Sequence, residues 1–242
     1  MVVSADVLGT LARVSTATMT SLLLGAHGMR SRTVQGVHSL VPGHCRFVGP
    51  AVTLRYAPAR EDLASLAGLD HADNPARDLI DTMPSGSVLM IDMQGSVAGG
   101  ALGDILVARL IARGAVGVVA DGAMRDAGPL AAMTMPVFCR GVTAPPSFNG
   151  LLAVEAQCPI GCGGVLVYPG DIVHADEDGV VVIPRHLAAS LARDGLEKED
   201  LEAWIKHRVE SGASIVGLYP PDAKAIADYR AATGNAPSKP RH

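Results

Sequence analysis

Aromatic residues are scarce in this 242-residue chain: one Trp, four Tyr and three Phe make up 3% of it. A core built on large rings is therefore excluded, and the 48% hydrophobic content has to pack as small and branched aliphatics, mostly Ala, Val and Leu. Excess charge is also missing. A net charge of -4 with 18% charged residues offers no basic field for nucleic acid, which argues against an electrostatic nucleic-acid binder. No apolar run reaches the ~18 residues that span a bilayer. The four cysteines, Cys45, Cys139, Cys158 and Cys162, lack paired C-x2-C spacing and sit among apolar neighbours, and nothing in residues 1–13 reads as a signal peptide. Buried thiols in a reduced cytoplasm, with no membrane partner, are the expectation.

What the chain does have is a concentrated stretch in its middle. Gly99-Gly100-Ala101-Leu102-Gly103-Asp104 opens a helix-like run that ends at Gly114; the apolar run Val116 to Ala120 and a charged turn, Asp121-Gly122-Ala123-Met124-Arg125-Asp126, follow. A helix returning beside a strand brings the loop before it and the loop after the strand to one sheet edge, so Asp104 meets Arg125 and Asp126. Glycines let backbone N–H groups approach a ligand, and a helix start attracts an anion such as a carboxylate. Arg125 offers a planar fork for a carboxylate or keto acid, and Asp104 and Asp126 are hard oxygen ligands or proton acceptors. The same residues also read as an N-terminal helix charge and a solvated Arg–Asp pair.

The spacing D-x20-R-D, from Asp104 to Arg125 and Asp126, resembles the signature of the family that joins regulators of ribonuclease activity (RraA-like proteins) to the class II 4-hydroxy-4-methyl-2-oxoglutarate/4-carboxy-4-hydroxy-2-oxoadipate aldolases. Further segments are similar in family order: Ser15-Thr16-Ala17-Thr18, Gly49-Pro50-Ala51-Val52-Thr53, Gly86 to Asp92, Pro169-Gly170-Asp171-Ile172-Val173 and Asp178 to Pro184. The resemblance covers roughly residues 10 to 190. It implies a metal-dependent lyase in which Asp126 binds a hydrated Mg²⁺ or Mn²⁺, Arg125 contacts substrate, and Asp104 positions or activates a water. Backbone amides of the glycine loop would hold the pyruvyl carboxylate of a small oxo acid, making Leu102, Gly103, Ile105 and Leu106 candidates. It also implies an α/β layered sandwich of the swivelling β/β/α type, assembled as a homotrimer or dimer of trimers, with an acidic residue from a neighbouring subunit reaching the metal's water shell. The segment from Ile215 through Pro220-Pro221 to Arg230 departs from the short tail of that family, so the resemblance assigns this acidic residue to no one position here. Two alternatives stand beside the lyase: a non-catalytic ribonuclease regulator, and a lyase for a sugar-derived hydroxy acid whose distal pocket draws on Arg30, Arg32 and the long tail. No glycine-rich cofactor loop with a following acidic residue supports methyl transfer.

Along the rest of the chain, residues 1–230 read as a single domain with N-terminal helices and a C-terminal helical extension, and 231–242 as a disordered tail. Helices are expected over Asp6–Arg13, from an Ser15 N-cap to Gly25, over Asn74–Thr82, Ala127–Met133 and Leu187–Ser211. Strands are expected over Phe47–Tyr56, with a bulge or edge at Gly49-Pro50, and over Val88–Asp92, Pro136–Arg140, Val165–Tyr168, Asp171–Ala175 and Val180–Ile183. Asp70-His71-Ala72-Asp73 packs metal-ligand types too closely in sequence to converge on one ion and reads as a loop. Asp176-Glu177-Asp178-Gly179 lacks the distal ligands of a calcium loop and reads as a hairpin turn. Arg55 and Asp92 could support the site from behind, and the stiff Thr143–Gly150 loop could border a pocket or simply lie on the surface.

Overall fold

The computed structural model describes residues 3–60, 62 and 74–234. Its centre is a parallel sheet of four strands, β2 (Phe47–Pro58), β3 (Val88–Asp92), β4 (Gly117–Met124) and β5 (Val137–Val142), in the order β5-β4-β3-β2. The crossovers run through α3 (Pro75–Thr82), α4 (Asp104–Arg113) and α5 (Ala127–Ala131). The sheet continues past β5 into β1 (His38–Ser39), and past β2 into the hairpin of β9 (Ile172–Asp176) and β10 (Gly179–Ile183). β6 (Leu151–Ala156) pairs with the far half of β2, and β7 (Ile160–Cys162) with β8 (Val165–Val167).

Every residue of β3 is buried, because the strand has a layer on each side. Leu89 and Ile91 face Leu79, Ile80, Val107 and Leu110 of the helices, while Val88 and Met90 face Phe47, Cys162, Val165 and Val173 of the second β layer. That alternation across a continuous apolar run is the pattern of a strand covered on both faces. The expected layered α/β sandwich is borne out. A third core lies outside the β9–β10 hairpin, under α1 (Ala5–Leu11), α2 (Thr16–His27) and the start of α6 (Ala188–Glu210).

Ser15 caps α2 as expected, accepting from the Thr18 N–H, and its own N–H and hydroxyl donate to Glu199 on α6. The hairpin-turn reading of Asp176 is also correct: its carboxylate accepts the Thr16 N–H and hydroxyl, fastening α2 to the second β layer. The four cysteines are free and buried.

The edge expected at Gly49-Pro50 is present, because Phe47–Pro50 pair with β9 alone, and the register shift on β2 falls at Arg55/Tyr56. The Ala51 N–H donates to Asp171 on the β9 side, so by alternation the missing N–H of Pro50 points toward β3, where pairing begins only at Ala51. Three other expectations need correction. The charged turn is shorter than expected, because β4 bulges between Ala120 and Ala123 and then runs on to Met124, leaving Arg125 and Asp126 as the corner. β6 and β7 are additional strands. The C-terminal segment forms α7 (Ala223–Thr233), capped by Gly234, and packs Tyr229 edge-on against Trp204 of α6; residues 231–233 of the expected tail are helical. Residues 70–73 and 235–242, read as a loop and a tail, lie outside the described residues. Among the described residues no single helix is long and apolar enough to cross a membrane.

Candidate active site

The loop from β3 to α4 and the corner from β4 to α5 meet at the carboxyl edge of the parallel strands, where open α/β sheets bind ligands. The glycine loop is stitched to the end of β4, with Ala101 N–H donating to Ala123 O at 2.8 Å and Arg125 N–H to Leu102 O at 3.1 Å, and to the loop after β5, with Gly100 N–H donating to Pro145 O at 2.9 Å. This approach requires glycine. A Cβ on Gly100 would stand 2.8 Å from Arg125 Cβ, and one on Gly103 would overlap Asp126 Oδ2.

Asp126 occupies the left-handed region, with φ 58° and ψ 45°, a conformation that Asp and Asn tolerate better than most residues. The corner turns its carboxylate away from α5, to which it gives no capping bond, and toward α4, where it accepts the Asp104 N–H at 3.4 Å. Arg125 Nε lies 3.4 Å from the same oxygen and is buried without a hydrogen-bond partner. A buried unsatisfied guanidinium donor is costly, and an incoming oxygen acceptor would relieve it. Asp104 turns one carboxylate oxygen to the Ile105 N–H at 2.8 Å.

Gly103, Asp104, Ile105, Leu106, Arg125 and Asp126 line one cavity of about 290 Å³. The structure thus brings together every sequence-identified site residue except Leu102, whose side chain is buried in the helix-side core and whose carbonyl holds Arg125. The opposite walls come from Tyr56, from Asn74 and Arg77 at the start of α3, from Pro146, Ser147 and Phe148, and from Leu151, Leu152 and Ala153 on β6. Of these only the proline loop is anticipated by sequence. Tyr56 reads as one more alternating strand residue, and β6, although Asn149-Gly150 marks a turn just before it, has no clear alternation that shows what it faces. Burial pushes the Tyr56 hydroxyl up to about 12, so it stays a neutral donor, directed at Ala101 O at 3.4 Å.

The supporting candidates lie elsewhere. Arg55 pairs with Glu155 at the surface. Asp92 accepts the Gln94 and Gly161 N–H groups, and burial raises its pKa. Arg32 donates to Val182 O and faces Asp171, and neither it nor Arg30 nor any described residue beyond Ala153 lines the cavity.

Two carboxylates with unspent lone pairs therefore face one cavity, and no group of three His, Cys, Asp or Glu side chains able to hold a metal occurs among the described residues. Such a set suits a hydrated, oxygen-preferring ion such as Mg²⁺ or Mn²⁺, which keeps several waters, and does not suit a closed tetrahedral zinc site.

Known proteins resemble this chain in sequence and in fold. A Legionella pneumophila protein named DlpA is 32% identical over 170 residues, 70% of this chain and 26% of that protein. A Halalkalibacterium halodurans protein named "Putative 4-hydroxy-4-methyl-2-oxoglutarate aldolase" is 33% identical over 152 residues, 63% of this chain and 66% of that protein. The chain thus spans about a quarter of the first relative and just under two thirds of the second. The crystal structure of Streptomyces coelicolor RraAS2, described as an unusual member of the RNase ES inhibitor RraA protein family, superposes with a TM-score of 0.78 at 32% identity, covering 85% of this chain and 98% of its own. Residues 10–182 match the family described as Aldolase/RraA, and the chain belongs to this RraA-like family.

Proposed function

We propose that the protein is a divalent-metal-dependent lyase that cleaves a 4-hydroxy-2-oxo acid of the 4-hydroxy-4-methyl-2-oxoglutarate type to pyruvate and a second oxo acid. The observation that carries this reading is the convergence of Asp104, Arg125 and Asp126 on the N-terminus of α4 within one cavity. The Arg125 fork, with the Leu106 N–H in the first turn of α4, holds the 2-oxo carboxylate end of the substrate, the Asp104 and Ile105 N–H groups being turned to Asp126 and Asp104. Asp126, with Asp104 nearby, would hold a Mg²⁺ or Mn²⁺ ion, which when bound would supply Lewis acidity toward the 2-keto acid. Asp104, acting through a water, takes the proton from the 4-hydroxyl. As the C3–C4 bond breaks, its electron pair moves toward the keto oxygen, and Arg125 holds the growing negative charge there. Loss of such a donor typically costs about 10²- to 10³-fold in rate. Oxaloacetate decarboxylation develops charge on the same oxygen and is expected as a side activity.

Assembly belongs to the same proposal. Ile105 at the cavity is 80% exposed, and an apolar side chain left open there is consistent with a homotrimer or dimer of trimers that completes the site. A clean monomer by light scattering would count against it.

The likeness to RraAS2 gives weight to a second reading, a non-catalytic regulator that binds a ribonuclease; the presence of both Arg125 and Asp126 favours the enzyme. Pyruvate release from 4-hydroxy-4-methyl-2-oxoglutarate and oxaloacetate, with and without Mg²⁺ or Mn²⁺, separates the two. Metal-dependent turnover in the wild type, lost in Asp126→Asn and cut at least about 10²-fold in Arg125→Ala, is the expected result. Absent turnover, absent metal binding and capture of a ribonuclease would reverse the order.

A further inference from the structure

A second cavity, of about 350 Å³, lies at the opposite edge of the sheet, where β2 and β3 begin to pair. Its described walls are mostly apolar, with Leu8 of α1, Val52, Pro84 and Ile172 among them, and they include no carboxylate. Three polar side chains line it, and each has hydrogen-bonding capacity to spare. Ser87 is 2% exposed, and its hydroxyl makes no hydrogen bond among the described residues. Gln157, with φ 55°, accepts the Thr53 N–H on Oε1 at 3.2 Å while its own N–H donates to Thr53 O, which leaves Nε2 without a partner among the described residues. Arg185 stands exposed at the rim. Its backbone N–H donates to Asp171 Oδ1 at 3.2 Å, and its guanidinium lies over Gly170, where a Cβ would stand 3.2 Å from one terminal nitrogen. No carboxylate among the described residues pairs with that guanidinium, since Asp171 faces Arg32 instead, at 3.9 Å.

A nearly buried hydroxyl without a partner and a cation without a counter-ion, at the edge of an apolar hollow, suit a ligand that brings acceptor oxygens on an apolar body. The volume is that of a small-molecule site. A single guanidinium with no other charge among the lining residues balances one negative charge, and a dianion would leave its second charge unpaired against an apolar wall. We propose that this cavity is a second ligand site, which binds a small apolar monocarboxylate with its carboxylate on Arg185 and its body against Leu8, Val52 and Ile172. The site is separate from the cavity of Asp104, Arg125 and Asp126 and does not depend on the reaction proposed there.

The test titrates the full chain with benzoate, and with benzyl alcohol as its uncharged counterpart, and follows the isoleucine methyl signals by NMR. Ile172 reports this cavity and Ile105 the one that holds Arg125. Benzoate is expected to shift the Ile172 signal saturably and to bind there at least about 10-fold more tightly than benzyl alcohol, the scale of a charge-assisted contact. Arg185→Gln should weaken benzoate at Ile172 about 10-fold and leave benzyl alcohol within about 2-fold. Arg185→Lys should recover part of the difference, since it keeps the charge and loses the fork. Leu8→Ala should weaken both probes alike, because it trims the wall and leaves the cation in place. Thermal melts of the variants report folding. A shift of Ile105 with Ile172 unmoved, equal binding of the two probes, or a benzoate affinity at Ile172 that Arg185→Gln leaves unchanged would each overturn the proposal. Pyruvate release plays no part in this readout, so failure of the lyase reading and failure of the second site are told apart.

Discussion

Asp126 and Gly103 form a matched pair: one carboxylate can lie against the start of α4 only because the residue opposite has no Cβ. Gly103→Ala should therefore act on chemistry more than on folding. As an N-cap, Gly gives way to Ala at a cost of about 1 kcal/mol or less. The displaced Asp126 should nevertheless lower turnover by about 10-fold or more, the scale of a misplaced catalytic group. Pyruvate assays set beside melting curves check the split; a large loss of melting temperature with unchanged turnover would refute it. A second prediction concerns His174, which is 2% exposed, with Nδ1 unpartnered and its pKa lowered to about 4, chiefly by burial. The unfolded chain, with His near 6.5, binds more protons than the folded one between those two values, so stability falls as pH drops from 6.5 toward 4. The full loss from such a displacement is about 3 kcal/mol. Asp176, beside it, has a lowered pKa through its bonds to Thr16, and its stabilising contribution is lost only as pH falls below the ordinary carboxylate value, so the two windows are separable. Urea titrations from pH 7 to 4 should show a slope in the wild type that flattens in His174→Leu.

Among the elements, α2 is held more firmly than its own sequence requires. Ser15 caps it, Glu199 of α6 accepts two hydrogen bonds from Ser15, and Asp176 accepts two from Thr16. Ser15→Ala removes the cap and one of the Glu199 bonds and should destabilise by about 1 to 2 kcal/mol, read by denaturant unfolding; a change below about 0.5 kcal/mol would mean that Asp176 and the remaining backbone bond to Glu199 hold the helix start. The helices with strong local signals were legible in the sequence for the same reason: Ser15 before α2, Asn74-Pro75 before α3 and Gly114 after α4 are terminal signals read within a few residues. β6 was not legible because its burial depends on pairing with Tyr56 to Pro58, nearly a hundred residues earlier in the chain. α7 was missed because Pro220-Pro221 marks a break while the Asp222 cap after it goes unnoticed; its side chain accepts from Ala225 N–H. The continuation of β4 through Asp121 was hidden in the same way. A charged residue reads as a turn, yet this carboxylate is buried and accepts the N–H groups of Met93 and Gly163.

At the scale of the whole molecule, the near half of the candidate site was legible and the far half was not. Asp104, Arg125 and Asp126 lie on consecutive elements of one crossover, whose geometry constrains where they meet. Tyr56, Arg77 and the β6 wall reach the cavity through α3, β2 and the sheet's folding back on itself, which no local pattern announces. Arg30 and Arg32 were candidates for that wall by charge alone, and the fold leaves them outside it. The left-handed corner at residue 126 has one more consequence. Its backbone geometry admits Asp, Asn or Gly with little difference in strain, while only the first of these brings a full negative charge to the cavity. A lineage could therefore shed the chemistry in a single step and keep an intact, well-folded scaffold free to take up another occupation, so that descent from this architecture preserves shape more faithfully than activity.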